Sequence, residues 1–232
     1  MKRRVNLIYP LIALTLVMGV SCEKNEPSSS EGSNISNFEA MKKALTFEEN
    51  DTFTGYRLSV NMTSLSTSEV IYNLQKNVSI NRENQTMYAS ETLTYISDSE
   101  EAQDGKVTET HVYYYDVGSR YTLQSDGNYL QEDGTVDQNP PITLNPKEEY
   151  FSDMDYQKSG NAYVVNGKIV SSKANDLFAT TGLESIKNAT IGVEFYDAIL
   201  EKVSFAYEVN NVKISENITI SYNAPSFVMP VA

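Results

Sequence analysis

The sequence has very few of the residue types that most often carry chemistry. It contains one cysteine, Cys22, one histidine, His111, and no tryptophan. A lone cysteine excludes an intrachain disulfide, and a zinc site lacks the second histidine or cysteine that it would need. We interpret His111, in a predicted strand beside tyrosines, as structural and expect no metal, cofactor or catalytic residue.

Basic residues are also scarce, with 18 Lys and Arg against 31 Asp and Glu and a formal net charge of −13. Three of the 18 are Lys2, Arg3 and Arg4, so the rest of the chain has 15 basic residues against 31 acidic ones. Such an acidic surface repels phosphate backbones and anionic headgroups. We therefore exclude nucleic acid as a partner and expect no basic patch for membrane contact.

Sequence motifs for catalysis or calcium binding are missing as well. The acidic segment 98–105 lacks the ligand spacing and the closing glutamate of an EF-hand. Neither a Gly-x-Ser-x-Gly motif nor a glycine-rich phosphate loop occurs. We expect a protein that is not an enzyme, with a hydrolase as a weak third possibility.

The first 21 residues have the pattern of an export signal. A basic start is followed by an uncharged apolar run at 5–20, which is shorter than the ~20 apolar residues of a membrane span. Small residues end at Ser21 and resemble a bacterial lipobox, which implies that a lipid is attached to Cys22 after cleavage. The run Gly19-Val20-Ser21 also fits ordinary signal cleavage, and the alternative is a secreted protein with a free Cys22.

Residues 22–35 follow as a segment rich in Ser, Glu, Asn and Gly. A segment with so few apolar residues does not bury enough surface to fold, so we predict a flexible tether. Residues 36–232 have the length of a single domain. The sequence predicts a signal peptide at 1–21 and a domain held outside the cytoplasm, anchored to a bacterial membrane through the Cys22 lipid.

Most of this domain has the period-two alternation of β-strands. Helical spacing predicts one amphipathic helix at 37–45, and further short helices are predicted at 145–154 and within 171–185. Between them we expect at least eight strands and no strand–helix alternation of the parallel kind. The pair Asn166-Gly167 predicts either a tight hairpin or a bulge.

The last three predicted strands form the clearest pattern, an antiparallel meander. Asn210-Asn211 joins two of these strands, because asparagine tolerates positive φ better than most residues. The apolar stripes of the meander are first of all a core, and they line a cavity only if the sheet curves away from its helices. The candidate lining residues are Val193, Phe195, Val203, Phe205, Tyr207, Ile218 and Ile220.

The order of elements resembles the LolA/LolB/LppX superfamily of exported lipid and lipoprotein carriers, and more narrowly the LppX/LprG-like small lipoproteins. The resemblance rests on a leading helix, a long meander, the strand Tyr163-Val164-Val165-Asn166-Gly167, the strand end Phe195-Tyr196-Asp197 and two closing strands. It implies an α+β, mainly antiparallel β fold. That fold is a curved half-barrel of about 8–11 strands with two or three short covering helices, around a hollow for acyl chains.

These observations predict a lipid-anchored protein that binds or carries an acyl-chain ligand between sheet and helices. The partners expected are the membrane, through Cys22, and a lipid or lipoprotein ligand. The alternative is a structural or interaction module of the cell envelope with a filled core and a tyrosine-rich contact surface.

Replacing Cys22 with Ser removes the thiol to which the predicted lipid is attached. We expect the Cys22→Ser protein to move from the membrane fraction to the soluble fraction when cells are fractionated. Persistent membrane association would mean that the lipid is not the anchor.

Overall fold

A computed structural model describes residues 36–46, 53–66, 69–96, 105–134, 144–178, 185–222 and 227–230. The predicted leader, Cys22 and the tether lie outside the described residues, and their assignments stay predictions. Within the described part of the chain, one antiparallel sheet of eleven strands dominates.

The strands follow one another along the chain with two helices among them. The first six strands are β1 Gly55–Ser66, β2 Glu69–Asn81, β3 Thr86–Ile96, β4 Lys106–Asp116, β5 Ser119–Leu123 and β6 Tyr129–Asp133. The last five are β7 Phe151–Ser159, β8 Ala162–Ile169, β9 Lys187–Tyr196, β10 Ile199–Val209 and β11 Val212–Ser221. Helix α1 is Asn37–Thr46 and helix α2 is Ser171–Leu177.

The sheet consists of two meanders that meet between the first strand and the last. Its order is β6-β5-β4-β3-β2-β1-β11-β10-β9-β8-β7. At the junction, Arg57 lies opposite Ser221 and Leu65 lies opposite Lys213 in an antiparallel pair. The sheet is therefore open, with β6 and β7 as its two edges.

Alternation along each strand gives the sheet two unlike faces. On β9, Ala189, Ile191, Val193 and Phe195 are buried, whereas the residues between them are exposed or half-buried. We call the face that carries these four side chains the core face and the opposite one the outer face. Burial of the core face drives folding, at about 25 cal/mol per Å² of apolar surface.

The two helices cover the core face beside β9 and β10. Ser36 caps α1, since its Oγ accepts a hydrogen bond from the backbone N–H of Glu39 at 3.2 Å. Helix α1 buries Phe38, Met41, Ala44 and Leu45, as the helical spacing predicted. Helix α2 buries Ala174 and Leu177.

Tight turns join the last three strands, and the predicted meander is confirmed. Asn210 and Asn211 have φ values of 52° and 65°, and Asp197 and Ala198 have values of 49° and 63°. Two consecutive residues at positive φ are the requirement of the hairpin turn whose twist matches that of the strands.

The predicted fold class, an α+β curved half-barrel with two or three covering helices, is wrong. The described residues form an open sheet of eleven strands with only two α-helices, so the fold is mainly β. The helix predicted at 145–154 is a single 3-10 turn, Glu148–Tyr150, followed by β7. A proline and two acidic residues start a helix well, but half-buried Met154 and Tyr156 alternate with exposed Asp153 and Asp155 and favour a strand.

The Asn166-Gly167 pair does not form a hairpin turn. Strand β8 runs through both residues, and the irregularity lies on its partner β7, where the register shifts between Phe151 and Asp153. A Cβ at position 167 would lie 3.0 Å from the Phe151 ring. Glycine therefore makes room for that ring beside the strand.

Neighbouring aromatic residues on the two faces of β9 provide a test of the core. Phe195 is 1% exposed and stacks on Tyr163 with ring centroids 4.7 Å apart, whereas Tyr196 is 48% exposed. We expect Phe195→Ala to lower the free energy of unfolding by about 3–5 kcal/mol because it leaves a cavity. Tyr196→Ala, the matched control, should cost less than about 1 kcal/mol. Urea denaturation of both variants measures the difference, and equal losses would contradict this assignment of the faces.

Candidate functional site

The core face changes character from one half of the sheet to the other. From β8 to β1 its side chains are buried and largely apolar. On β2 the same face still has buried Leu74, Val78 and Ile80 beside half-buried Tyr72 and Lys76. From β3 towards β5 it becomes largely half-exposed and carries tyrosines and charged groups. We call this region the tyrosine strip; it comprises Tyr72, Lys76, Glu91, Tyr95, Glu109, His111, Tyr113 and Tyr115.

The strand register places these residues side by side. Val78 of β2 is buried opposite buried Ala89 of β3. Two residues further along the same face, Lys76 lies opposite Glu91, and Glu91 lies opposite His111 of β4. The strip is thus a direct lateral continuation of the apolar core face.

Hydrogen bonds and ion pairs connect the strip across its strands. The Tyr95 hydroxyl donates to Glu109 Oε1 at 2.7 Å. His111 Nε2 lies 3.6 Å from a Glu109 carboxylate oxygen, and Lys76 Nζ lies 3.7 Å from one of Glu91. These groups are about 30–45% exposed, so the ion pairs add little stability and remain accessible to a ligand.

The two tyrosines nearest Glu91 are held in the protonated form. Burial, and then the negative charge of Glu91, raises the pKa of Tyr72 and of Tyr113 above the ordinary value. The His111 ring stacks on Tyr113 with centroids 6.2 Å apart. At neutral pH both hydroxyls therefore remain hydrogen-bond donors beside a charged row.

Next to the strip, strand β5 contributes polar atoms to the same face. Arg120 pairs with Glu132 and lies opposite Tyr115. Arg120 Nε and Thr122 Oγ1 are buried, with no hydrogen-bond partner among the described residues. Buried polar atoms are nearly always paired, so these two are exceptions on this face.

The seven predicted lining residues all lie on the core face and are 0–6% exposed. The Phe205 and Tyr207 rings lie 5.4 and 5.5 Å from the ring of Phe178, which follows α2. Here the described side chains form a packed core, and the role of the seven in lining a cavity stays a prediction. Those residues are Val193, Phe195, Val203, Phe205, Tyr207, Ile218 and Ile220.

One carboxyl group is buried within the apolar half of this face. Glu216 of β11 is 7% exposed and lies between Phe205 of β10 and Met62 of β1. Desolvation raises the pKa of Glu216 to about 7. Burial raises the pKa of nearby Tyr207, and the charge of Glu216 adds to that effect.

Sequence reasoning missed these charged residues of the core face, although a signal was present. Lys76, Glu91 and Glu216 occupy positions whose neighbours two residues away are apolar. Burying a charged side chain on the face of a strand whose other residues are apolar costs free energy, and such residues often carry function. Searching each alternating run for a charge in the apolar register would have found them.

The described residues contain no group of three His, Cys, Asp or Glu side chains arranged for a metal ion. None of the described helices has the length and apolar character needed to cross a membrane. His111 is exposed and has Glu109 as its ion-pair partner, and the prediction that the chain is not an enzyme stays a prediction.

No family model matches this chain, and no curated protein matches it. Similar solved structures include a LolA superfamily protein from Nitrosomonas europaea, at 6% identity and a TM-score of 0.25, over 81% of this chain and 92% of that one. A DUF1329 family protein from Desulfovibrio piger has 9% identity and a TM-score of 0.21, over 78% and 90%. The S-type phycobiliprotein lyase of Guillardia theta has 9% identity and a TM-score of 0.19, over 82% and 100%.

One of these three structures is a LolA superfamily protein, and the sequence resembles that superfamily. None of the three is described as an LppX/LprG-like lipoprotein. At TM-scores of 0.19–0.25 the likenesses carry no argument about function. The site is therefore defined by the contacts of this chain alone.

Glu216→Gln tests the buried carboxyl. A folded-state pKa above the unfolded value of about 4.5 means that folding favours the protonated form, so stability falls as the pH rises from about 4.5 to about 7. The shift is worth about 3 kcal/mol. We expect Glu216→Gln to raise the free energy of unfolding by about 2–3 kcal/mol at pH 8 and by less than about 0.5 kcal/mol near pH 4.5.

Glu201→Gln is the matched control, because Glu201 lies on β10 and is exposed. Its effect should stay within about 0.5 kcal/mol at both pH values. Denaturant unfolding of both variants at the two pH values measures the difference. A stabilisation by Glu216→Gln that does not depend on pH would contradict the buried-carboxyl assignment.

Proposed function

We propose that this protein is a lipid-anchored, non-enzymatic bacterial lipoprotein that binds an amphipathic ligand on the core face of its sheet. The ligand has an acyl chain and a polar head. The observation that carries the proposal is the lateral change of that face from a buried apolar half to the half-exposed tyrosine strip. An amphipathic molecule that lies across strands β1 and β2 would place its acyl chain on the apolar half and its polar head on the tyrosine strip.

The acyl chain would lie between the apolar half of the sheet and the two helices. Helices of 10 and 7 residues owe their stability to packing rather than to their own propensity. An acyl chain that displaces them replaces one set of apolar contacts with another. Each methylene that it buries contributes about 0.8 kcal/mol.

The polar head would lie on the tyrosine strip and on β5. Tyr72 and Tyr113 supply hydroxyl donors, and Arg120 Nε and Thr122 Oγ1 supply buried polar atoms without partners among the described residues. Lys76 and Arg120 are the cations of this region, and both lie beside carboxylates. A headgroup with both donors and acceptors suits this mixture better than a bare anion.

The anchor and the location of the domain form the second part of the proposal. A lipid on Cys22 and the tether at 22–35 would hold the domain outside the cytoplasm near the bilayer from which a ligand is taken. Without Lys2, Arg3 and Arg4 the chain has 31 acidic residues against 15 basic ones, so anionic headgroups repel it. The anchor would therefore keep it close to the membrane without adsorption.

An envelope interaction module is the second candidate, and two observations favour it. The described core is filled, since Val165, Val193 and Val203 are 0% exposed. The outer face also carries an aromatic cluster in which Tyr88 and Phe227 both lie within 6.3 Å of the Tyr114 ring. Aromatic residues of this kind are common in protein interfaces.

Adjacent tyrosines of β4 test the first candidate, because Tyr113 lies on the core face and Tyr114 on the outer face. The full chain carries Cys22→Ser in every sample, so that no attached lipid interferes. We expect Tyr113→Ala to weaken binding of a fluorescent phosphatidylethanolamine, whose head has both donors and acceptors, about tenfold, equal to about 1.4 kcal/mol. Tyr114→Ala, the control, should leave that affinity unchanged.

Native mass spectrometry of the same Cys22→Ser chain, followed by organic extraction, looks for a ligand acquired during expression. A protein that is ligand-free and takes up neither fatty acid nor phospholipid would overturn the carrier proposal. That result would leave the interaction module as the better account.

A further inference from the structure

The outer face has a groove of about 490 Å³ across strands β7 to β11, on the side of the sheet away from the proposed lipid site. Small side chains form its floor, among them Ser204, Ala206 and Ser215. Asp153 and Asp155 of the edge strand β7 stand along one side.

Gly192 lies in this groove and makes room for a neighbouring side chain. A Cβ at Gly192 would lie 2.5 Å from Ser204 Oγ and 3.4 Å from Asn166 Oδ1. The φ of Gly192 is not in the left-handed region, so it is the close approach of Ser204 that requires glycine here. The Ser204 hydroxyl donates a hydrogen bond to the Gly192 carbonyl oxygen at 3.5 Å.

The groove continues into a row of uncharged polar residues across the sheet. Cross-strand pairing aligns, in order, Asn166, Gly192, Ser204, Asn217, Asn61 and Gln75. The neighbouring row aligns Thr190, Ala206, Ser215, Thr63 and Asn73. Between β9 and β2 these two adjacent rows contain no charged residue, although the chain has 18 basic and 31 acidic residues. Towards the edge of the sheet the rows continue into Lys168 of β8 and into Asp153 and Asp155 of β7.

The chemistry of these rows selects a class of ligand. Hydroxyl and amide groups both donate and accept hydrogen bonds, as do the hydroxyls of a sugar. Lys168 Nζ lies 3.5 Å from Asp153 Oδ2, so the groove offers no isolated cation to an anion. Asp153 and Asp155 repel anions further and accept hydrogen bonds from hydroxyl donors.

The spacing of the rows also fits. Neighbouring strands are about 4.8 Å apart, which is close to the length of one sugar ring in an extended chain. Successive rings of a glycan would therefore meet equivalent side chains on successive strands. The methyl groups of Ala206 and Thr190 give the apolar faces of the rings a surface to pack on.

We propose that the outer-face groove at β8 to β11 binds a neutral oligosaccharide segment through Asn166, Ser204 and Asn217, with Gly192 making room for the Ser204 side chain in the groove. This site is separate from the core face, so a protein with both would hold a lipid-like ligand on one face and a glycan on the other.

The test uses the full chain with Cys22→Ser and three neutral probes: cellohexaose, maltohexaose and the hexamer of N-acetylglucosamine. We expect saturable binding of at least one probe by isothermal titration calorimetry, with a Kd of about 1 mM or below. Absence of saturable binding for all three probes at up to about 10 mM would overturn the proposal.

Three variants locate the binding. Asn217→Ala removes an exposed amide from the groove and should weaken binding at least about fivefold, whereas Asn77→Ala removes an exposed amide from β2 outside the groove and should not. Gly192→Ala should also weaken binding at least about fivefold, because its Cβ displaces Ser204 Oγ, and circular dichroism checks that this variant folds. Equal affinities of the Asn217 and Asn77 variants would overturn the assignment to the groove, as would binding of hexalysine in place of the three saccharides.

Discussion

Antiparallel pairing decides which side chains stand beside one another on this sheet, because a slip of one residue moves every side chain of a strand to the other face. Ten pairings in series align the eleven strands, and each proposed surface depends on that alignment. The packed core, the tyrosine strip and the uncharged rows are all products of one continuous register. The strand register therefore decides which neighbours each side chain contacts and what it can bind together with them.

Local sequence patterns were sufficient for individual elements and for the closing meander. Helix α1, the strands β9 to β11 and the Asn210-Asn211 turn follow from spacing and from asparagine's tolerance of positive φ. The prediction of a helix at 145–154 was wrong because it relied on a helix start signal and ignored the alternation of Met154 and Tyr156, which is typical of a strand. The α+β assignment was wrong because it gave weight to that third helix, whereas the described residues contain two short α-helices beside eleven strands.

The candidate sites could be predicted only in part, because they depend on contacts between distant parts of the chain. Lys76, Glu91 and Glu216 could be recognised from their parity within alternating strands, although their neighbours could not be named. The outer-face row joins Asn61, Asn166 and Asn217, which come from three separate parts of the sequence. Nothing in the sequence around Gly192 indicates that the Ser204 side chain occupies the space that a Cβ at position 192 would need.

The pairing of the first strand with the last has a consequence for the order of folding. Within each meander, strands adjacent in sequence are adjacent in space, so both halves form through local connections at low entropic cost. The longest of these connections, residues 170–186, contains α2. The contact of Arg57 with its partner Ser221 closes the longest loop of the sheet. This step waits until nearly the whole chain has been synthesised. Until then β1 and β11 are both exposed edges, and the interval before they meet is the time at which chaperones matter most to this protein.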